Sequence, residues 1–323
     1  MEYVNLGASG LKVSRLGLGT MGFGDPEWRS WVLREDKAQP IFTRALEHGI
    51  NFFDTCNYYS GGESERLLGR LIQNSRISRD EIVIATKFGM PMSDHINARG
   101  YSRKNIFNAV DSSLKRLNTE YIDLYQTHIW DLDTNLEEMM SALADLIRTG
   151  KVLYIGATDM PVWQFVKANC IAGSRNTPGF TSMQNHYNLV WREDESELLP
   201  YCNANGIGWI PYSPMARGAL CGQDQRSDNS SERQRTDEYI EIWYGRDSDR
   251  TVKSQVDQVA RKHGVESGQV ALAWVLGRHP KVAPIFGADS VSQLDSAVSA
   301  LRLQLDDDDE KLLTDNYLPR LRS

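Results

Sequence analysis

The chain has 323 residues, with 36 lysines and arginines against 43 aspartates and glutamates, so its formal charge at pH 7 is −7. A net acidic chain is poorly suited to binding nucleic acid, because phosphate contacts need a basic face. Its apolar share of 41% is that of an ordinary globular protein, and its longest apolar runs fall far short of the ~20 residues that span a bilayer. We therefore expect no nucleic-acid partner and no membrane span.

The cysteines and the first residues favour a reducing compartment. Cys56, Cys170, Cys202 and Cys221 are scattered without a C-x-x-C pair, a pattern that predicts neither a zinc site nor a disulfide framework. Met1 is not followed by the basic and apolar regions of a secretory signal. The expected location is the cytoplasm, and no metal is expected.

A small hairpin is predicted first, from Tyr3 to Val13 around a turn at 7–10. Eight strand–helix units follow in one continuous rhythm. Their strands are predicted at 16–19, 50–53, 82–86, 122–126, 152–157, 182–185, 208–211 and 282–285. Their helices are predicted at 35–48, 63–72, 102–117, 136–149, 162–172, 194–204, 252–262 and 291–300. Ser102 is expected to cap the third of these helices.

This alternation predicts a parallel sheet, and eight units in about 300 residues fit a (β/α)8 barrel better than an open, doubly wound sheet. Two helices that follow no strand, at 269–278 and 306–316, are expected outside the barrel. The segment 223–250 is polar and charged without a clear apolar period until 239–244, and predicts a long loop after the seventh strand. We expect one α/β domain over 1–323, a (β/α)8 TIM barrel with an N-terminal β-hairpin and two extra helices.

Active sites of such barrels lie at the carboxyl ends of the strands. The second predicted strand ends in Asp54, with Tyr59 five residues later, the third ends in Lys87 and the fourth in His128. A buried ammonium held by a carboxylate is expected to lower the pKa of the phenol, where a fall of about 3 units takes about 4 kcal/mol. The imidazole can orient a carbonyl oxygen. Since no covalent nucleophile is evident, the set suits protonation of an oxygen while a nicotinamide delivers hydride to carbon.

Simpler interpretations exist for each residue alone. Asp54 and Lys87 could be an ordinary buried ion pair, and His128 could be a core histidine. Tyr58 competes with Tyr59 for the role of acid. The order and spacing of all four candidates at one rim favour the catalytic interpretation.

Two further patterns have competing interpretations. G-x-G-x-x-G at 17–22 matches the dinucleotide fingerprint, but that fingerprint opens a helix at once, whereas the next helical pattern begins at Glu35. We therefore predict that it is the first barrel strand and the start of a loop. Trp28, Trp31 and Trp130, in loops at the rim, could line an apolar pocket or pack under the loops.

Six short motifs are distributed along the chain. They are G-I-N-F-F-D-T…Y at 49–59, G-E-S-E at 62–65, A-T-K at 85–87, D-L-Y-Q-T-H at 123–128, G-K-V…G at 150–156 and Y-S-P-M-A-R-G at 212–218. Together they resemble the aldo-keto reductase superfamily, and they span essentially the whole chain in the family's order and spacing. Within the superfamily, the chain looks more like the bacterial and potassium-channel β-subunit-like branch.

The resemblance implies a reductase that uses NADPH, or NADH, to reduce aldehydes and ketones to alcohols. Asp54, Tyr59, Lys87 and His128 fall on the family's tetrad, and the spacing of five from Asp54 selects Tyr59 as the acid. The positions that the resemblance assigns to the cofactor run from its nicotinamide to its adenosine end. They are Thr158, Asp159 and Gln184 at the carboxamide, Tyr212 on the ring, Ser213 and Arg217 at the pyrophosphate, and Gly287, Ala288, Asp289, Ser290 and Gln293 at the adenosine.

Two acids depart from the family's pattern. Asp159 stands where relatives usually have asparagine, and it adds a charge beside the nicotinamide. Asp289 lies near the position of the 2′-phosphate, where many relatives carry lysine, arginine or serine, and Ser296 and Ala297 replace a later Glu-Asn pair. The resemblance implies NADPH as the cofactor. Because an acid beside a phosphate is unfavourable if it points inward, NADH stays possible.

Two other functions compete with the reductase. The chain could be a cofactor-binding, redox-sensing regulatory subunit, which would need a docking surface for its partner. It could also be an unrelated barrel lyase or isomerase, for which a glycine-rich phosphate loop would be expected in place of Y-S-P at 212–214. The tetrad favours the reductase, with a small carbonyl compound as its partner. The sequence leaves open whether it is a monomer or a homo-oligomer.

Overall fold

The structure, a computed structural model, describes residues 1–131, 133–222 and 231–320. Its strands are β1 (Tyr3–Asn5), β2 (Lys12–Ser14), β3 (Gly17–Gly19), β4 (Phe52–Asp54), β5 (Val83–Phe88), β6 (Ile122–Thr127), β7 (Val152–Thr158), β8 (Ser182–His186), β9 (Gly208–Tyr212) and β10 (Ile285–Phe286). β1 and β2 form an antiparallel hairpin. β3 to β10 form a closed parallel barrel in chain order, in which β10 pairs with both β9 and β3. The predicted (β/α)8 barrel with an N-terminal hairpin is confirmed.

Helices surround this barrel. They are α1 (Glu35–Glu47), α2 (Glu63–Ser75), α3 (Arg103–Leu117), α4 (Leu136–Arg148), α5 (Val162–Ser174), α6 (Leu198–Ala204), α7 (Glu232–Thr236), α8 (Tyr239–Tyr244), α9 (Asp247–His263), α10 (Ser267–Gly277), α11 (Val291–Ser299) and α12 (Asp307–Thr314). Helices α1 to α5 pack side by side, and α11 packs against α1. None of the helices in the described ranges has the length and apolarity that crossing a membrane requires.

The start of α3 follows the expected capping. The Ser102 hydroxyl accepts a hydrogen bond from the backbone N–H of Asn105 at 3.3 Å, which satisfies one of the free donors at the helix start. Lys115 and Arg116 lie in the last turn, where positive charge suits the helix dipole. Asn118 then turns the chain out of the helix with a left-handed φ of 52°.

Two predictions in the second half are wrong. Residues 231–250 are not a loop, because they form α7, α8 and the start of α9, while 223–230 lie outside the described residues. α7 is too short and polar to show an apolar period, and the apolar pattern at 239–244 spans only the six residues of α8. The helix predicted outside the barrel at 269–278, α10, lies inside the helical layer: Leu272 packs in the outer barrel core and Trp274 against α9. It is apolar all round because both sides are buried, and α9 and α12 lie outside it.

The hairpin closes the amino-terminal end of the barrel. Leu6 and Val13 lie in one buried cluster with Phe52 of β4, so the hairpin supplies the base of the barrel interior. The turn requires glycine at position 7, where φ is +61° and a Cβ would lie 2.4 Å from the carbonyl oxygen of Gly206. Among the described residues, the open end of the barrel is therefore the one at the carboxyl ends of its strands.

The contact between α2 and α3 gives a stability prediction. Gly69 lies inside α2, and a Cβ there would lie 2.6 Å from the carbonyl oxygen of Leu117 at the end of α3. Alanine gains about 1 kcal/mol over glycine in a free helix, whereas overpacking costs about 1–3 kcal/mol. Gly69→Ala should therefore lower the free energy of unfolding, as measured by the midpoint of urea denaturation.

Gly173→Ala is the matched control, because Gly173 is also helical and a Cβ there would have no neighbour within 4 Å. This variant should be as stable as the natural chain or up to about 1 kcal/mol more stable. If both variants gained stability, the close approach of α2 and α3 would be disproved.

Candidate active site

Inward-facing side chains change from apolar to polar along the barrel axis. In β4, Phe52 belongs to the apolar cluster at the base, and Asp54 follows it two residues later. In β5, Ala85 belongs to the same cluster, and Lys87 follows two residues later. Because residues two apart share one face of a strand, the chain places a polar layer directly above the apolar one.

Asp54 is the centre of this polar layer. It is 3% exposed and forms a salt bridge with Lys87, which is 1% exposed. Its second oxygen, Oδ2, accepts hydrogen bonds from the side-chain amides of Gln126 at 3.1 Å and Gln184 at 2.9 Å. Burial alone would lower the pKa of Lys87, but the adjacent carboxylate outweighs it and raises that pKa, so the lysine stays charged.

Tyr59 follows β4 in a short helical turn and faces Lys87. Its hydroxyl lies 3.4 Å from Nζ, and Nζ lies 5.2 Å from the centre of its ring. Burial raises the pKa of Tyr59 to about 12, although Lys87 acts to lower it. The expected fall in this pKa is therefore wrong, because desolvation of the phenolate outweighs the ammonium. The Tyr59 hydroxyl therefore keeps its proton at neutral pH, and no contact between Tyr58 and Lys87 is present among the described residues.

His128 follows β6 and faces Tyr59 edge-on, with the ring centres 5.8 Å apart. Burial, aided by Lys87, lowers its pKa to about 3, so the imidazole is neutral. Its Nδ1 lies 3.0 Å from the thiol of Cys56, a contact that sequence reasoning missed. The four residues of the predicted tetrad thus meet in one site as a single cation, a carboxylate and two neutral rings.

A cavity of about 880 Å³ runs from these residues toward α11. It is lined by most of the predicted site residues, which are Asp54, Tyr59, His128, Thr158, Asp159, Gln184, Tyr212, Ser213, Arg217, Gly287, Ala288, Asp289 and Gln293. Lys87 lies behind this surface. Ser290 is not on it either: it caps α11, where its hydroxyl accepts a hydrogen bond from the backbone of Gln293 at 3.2 Å.

Asp159 and Tyr212 are linked across the cavity wall. The tyrosine hydroxyl donates to Oδ2 of Asp159 at 2.8 Å, and Oδ1 accepts from the backbone N–H of His186 at 3.2 Å. Asp159 holds a left-handed φ of 46° and is exposed to the solvent in the cavity. The surrounding walls raise its pKa to about 7, against the effect of the Tyr212 hydrogen bond. Since water reaches the carboxylate, the effect of this shift on stability is screened.

The ring of Tyr212 is supported from behind by stacked aromatic side chains. It stacks on His186 with 5.1 Å between centres, and His186 stacks on Trp191 at 4.3 Å. This support leaves the ring at the cavity wall with little freedom to move.

Two arginines give the middle of the cavity a positive charge. Nε of Arg217, in the segment after β9, lies 2.8 Å from Oδ2 of Asp237, and Nε of Arg233, in α7, lies 3.2 Å from the same oxygen. One buried carboxylate thus holds two guanidinium groups, which leaves a net positive charge. Ser213 and Arg217 have left-handed φ values of 53° and 56°, the kind of strain that clusters at binding sites.

Sequence reasoning missed Arg233, because the interpretation of 223–250 as a loop hid its helical position. It also missed Arg261 of α9, which lines the same cavity, as do Asp289 and Glu266. No motif marked either arginine. A clustering of arginines around Asp237 is visible in the sequence only if the short helix α7 is recognised.

The tryptophans divide between the two expected roles. Trp28 lies over the rim, with its ring centre 6.2 Å from those of both Tyr58 and Tyr59, so it borders the space beside the acid. The ring of Trp31 is buried beneath Arg233, whose guanidinium carbon lies 4.5 Å from the centre of that ring. Trp130 packs against the outer core.

The salt bridge between Asp54 and Lys87 gives a second prediction. Lys87→Met should leave Asp54 buried without its cation and cost about 3–5 kcal/mol of unfolding free energy. Adding Asp54→Asn should recover part of that loss, which a double-mutant cycle by urea denaturation would measure. As the control, Lys311→Met removes an exposed pair with Asp315 and should cost less than about 1 kcal/mol. Equal losses of unfolding free energy in Lys87→Met and Lys311→Met would contradict the claim that burial makes the Asp54–Lys87 salt bridge costly to break.

Known proteins resemble this chain over nearly its whole length. Residues 15–316 match the family model described as "Aldo/keto reductase family". The chain is 40% identical to versiconal hemiacetal acetate reductase of Aspergillus parasiticus, over 99% of this chain and 98% of the relative. It is 39% identical to aldo-keto reductase dtxS3 of Metarhizium robertsii over 99% and 92% of the two chains, and 37% identical to aldo-keto reductase AMT2 of Alternaria alternata over 98% and 91%.

These relatives are fungal, and the placement in a bacterial or channel β-subunit-like branch stays a prediction. The family match covers nearly the whole chain, and the identities extend over it at well above 30%. The chain belongs to the aldo/keto reductase family.

Proposed function

We propose that this chain is an NAD(P)H-dependent oxidoreductase that reduces an aldehyde or ketone to an alcohol, with Tyr59 as the general acid. One observation carries the proposal: a neutral phenol, a neutral imidazole and a buried ammonium meet at a cavity of about 880 Å³. The relatives named as reductases support the same class of reaction. We extend the proposal to a single domain over 1–323 acting in the cytoplasm.

The residues of the cavity fit a nicotinamide dinucleotide. Its volume of about 880 Å³ lies within the range of roughly 300–1,000 Å³ that is typical of ligand sites. The hydroxyl of Thr158 is buried and has no hydrogen-bond partner within the described ranges, so it is available to a carboxamide. Tyr212 offers a ring face, and the net charge around Arg217 and Arg233 suits a pyrophosphate. Gly287, Ala288, Asp289 and Gln293 would border the adenosine.

The bound reduced nicotinamide would supply a hydride to the carbonyl carbon of the substrate. Tyr59 then donates its phenolic proton to the carbonyl oxygen. The resulting phenolate lies 3.4 Å from the Lys87 ammonium, which stabilises the new charge. Asp54 and its two glutamine partners hold that ammonium in place, and His128 donates a hydrogen bond that orients the oxygen. A high pKa of free Tyr59 is no obstacle, because the proton moves as negative charge develops on the oxygen.

We propose NADPH as the preferred cofactor. Burial raises the pKa of Asp289, and Arg233 opposes that rise, so the acid near the adenosine end lies close to a cation. Arg261 lines the same cavity, and its side chain has no hydrogen-bond or ion-pair partner within 1–131, 133–222 and 231–320. A guanidinium of this kind can bind a 2′-phosphate. NADH would lack that contact.

The third prediction tests the acid. Tyr59→Phe should lower kcat for an activated aromatic aldehyde by roughly 10²–10⁴-fold, because the proton donor is lost. The dissociation constant for NADPH should stay within about twofold of that of the natural chain, since phenylalanine retains the aromatic ring at this position. The measurements are NADPH and NADH oxidation and fluorescence titration of the cofactor.

Tyr58→Phe is the matched control and should keep nearly full activity. Full activity of Tyr59→Phe would disprove the assignment of the acid. Tight cofactor binding without turnover of any aldehyde by the natural chain would favour the redox-sensing regulatory subunit instead. Binding of neither nucleotide would disprove the proposed function, and equal use of both would disprove the preference for NADPH.

The fourth prediction concerns the pH dependence of cofactor binding. The pKa of Asp159 is raised to about 7, so the group loses its proton as the pH rises from about 6 to 8. The new negative charge then opposes an anionic dinucleotide, and NADPH should bind about fivefold more weakly at the higher pH. Asp159→Asn should remove this component and bind NADPH at least as tightly at pH 8. Parallel pH profiles of NADPH binding for the natural chain and Asp159→Asn would rule out Asp159 as the source of this pH dependence.

A further inference from the structure

The thiol of Cys56 lies against the ring nitrogen of His128 that faces away from the cavity. The Sγ–Nδ1 distance is 3.0 Å, within the range of a hydrogen bond that involves sulfur. Cys56 is fully buried, two residues after Asp54. His128 Nδ1 has no other hydrogen-bond partner in the described part of the chain, and the ring lines the cavity.

Both groups are neutral at physiological pH. Burial raises the pKa of the Cys56 thiol to about 12, and burial lowers the pKa of His128 to about 3. One proton therefore sits on sulfur and one on the imidazole, which can carry it on either Nδ1 or Nε2. The contact admits two arrangements: the thiol donates to Nδ1, or Nδ1–H donates to sulfur.

The surroundings of the sulfur favour the first arrangement. The backbone N–H of Tyr58 donates to Sγ at 3.3 Å and so occupies a sulfur lone pair. Other acceptors for the thiol proton are more distant: Asn57 Oδ1 lies at 3.5 Å and the Lys87 carbonyl oxygen at 3.7 Å. That carbonyl also accepts the backbone N–H of Asn57 at 3.2 Å. An unprotonated imidazole nitrogen is the nearest acceptor and a better one than an amide oxygen.

We propose that Cys56 is a positioning residue that fixes the tautomer of His128: its S–H donates to Nδ1, so that the imidazole carries its proton on Nε2 and presents a donor to the cavity. This inference rests on the proposed function, in which His128 must donate to the carbonyl oxygen. In the other tautomer, the Nε2 lone pair would face the lone pairs of the substrate oxygen and repel it. The sequence had marked Cys56 only as one of four scattered cysteines.

The test compares Cys56→Ala with Cys56→Ser. Serine keeps an O–H donor at this position, whereas alanine removes it. Cys202→Ala is the matched control, because Cys202 is 1% exposed and lies in α6, outside the cavity lining. Thermal unfolding of each variant measures any loss of stability separately from the effects on His128.

Nitrogen-15 NMR of histidine-labelled protein reads the tautomer without any turnover. The chain has six histidines, and the His128 signals are assigned by their loss in His128→Gln. In the natural chain and in Cys56→Ser, Nδ1 should resonate as an unprotonated nitrogen and Nε2 as a protonated one. In Cys56→Ala, the two shifts should move toward each other as both tautomers become populated. The spectra are recorded with and without NADP⁺.

Kinetics gives the second measurement. Cys56→Ala should lower kcat for the aldehyde about tenfold, the effect of losing one orienting hydrogen bond, while the dissociation constant for NADPH stays unchanged. Cys56→Ser should recover most of that loss, and Cys202→Ala should be fully active. Such a rescue distinguishes hydrogen-bond donation from the mere filling of space.

Two results would overturn the inference. One is a protonated Nδ1 on His128 in the natural chain, and the other is a His128 spectrum in Cys56→Ala that matches the natural one. Loss of stability in Cys56→Ala with an unchanged tautomer and kcat would also count against it. The two claims can fail separately. If Nδ1 of His128 is unprotonated in the natural chain and in Cys56→Ser but not fully so in Cys56→Ala, the tautomer assignment stands. If the natural chain nevertheless reduces no carbonyl compound, the proposed function fails.

Discussion

The salt bridge between Asp54 and Lys87 is the interaction on which the site depends. Each of these charges would be costly to bury alone, and their mutual attraction offsets the loss of water only with good geometry and further hydrogen bonds. The barrel supplies both, because Gln126 and Gln184 reach the free oxygen of Asp54 from β6 and β8. Closure of the barrel therefore brings the Asp54–Lys87 salt bridge together with its two glutamine partners. The salt bridge in turn depends on the strand pairing that places these side chains in one layer.

The same pair explains why the other two groups of the tetrad are neutral. Lys87 holds a positive charge in a dry layer, and this charge lowers the pKa of nearby His128, which burial has already reduced. Tyr59 keeps its proton because the water that would solvate a phenolate is absent. The resting site thus carries an ion pair and two neutral donors. New charge would develop only when Tyr59 gives up its proton, and it would develop next to an ammonium that is already in place.

Much of this could be predicted from the sequence, for a physical reason. Strand ends in a parallel barrel meet at one rim, so Asp54, Lys87 and His128 could be placed together without coordinates. The pKa of Tyr59 could not be predicted, because its sign depends on how completely the surrounding chain excludes water from the phenol. The sequence shows the ammonium that lowers this pKa and does not show the burial that raises it.

The two wrong predictions about helices, at 231–250 and 269–278, have a different origin. The run from Val270 to Leu276 is apolar on every side, which indicates a helix enclosed between two layers, although no strand precedes it in the alternation of strands and helices. α7 is short, polar and capped by Ser231, so its helical form depends on local hydrogen bonds and on the salt bridges of Asp237 rather than on an apolar face. Periodicity detects helices that pack by hydrophobic burial. It misses those held by charge, and here such a helix carries an arginine of the cavity.

Cys56 illustrates the remaining gap between sequence and site. A thiol two residues after the carboxylate of Asp54 belongs to no recognised motif, and its position along the chain does not reveal which side chain it contacts. Only the fold brings β6 beside β5 and sets His128 over the segment that follows β4. A hydrogen bond of 3.0 Å between two neutral groups then selects one of two imidazole tautomers. The charge of the site is set by residues that a sequence pattern can find, whereas the direction of its hydrogen-bond donors is set by a contact that only the folded chain creates.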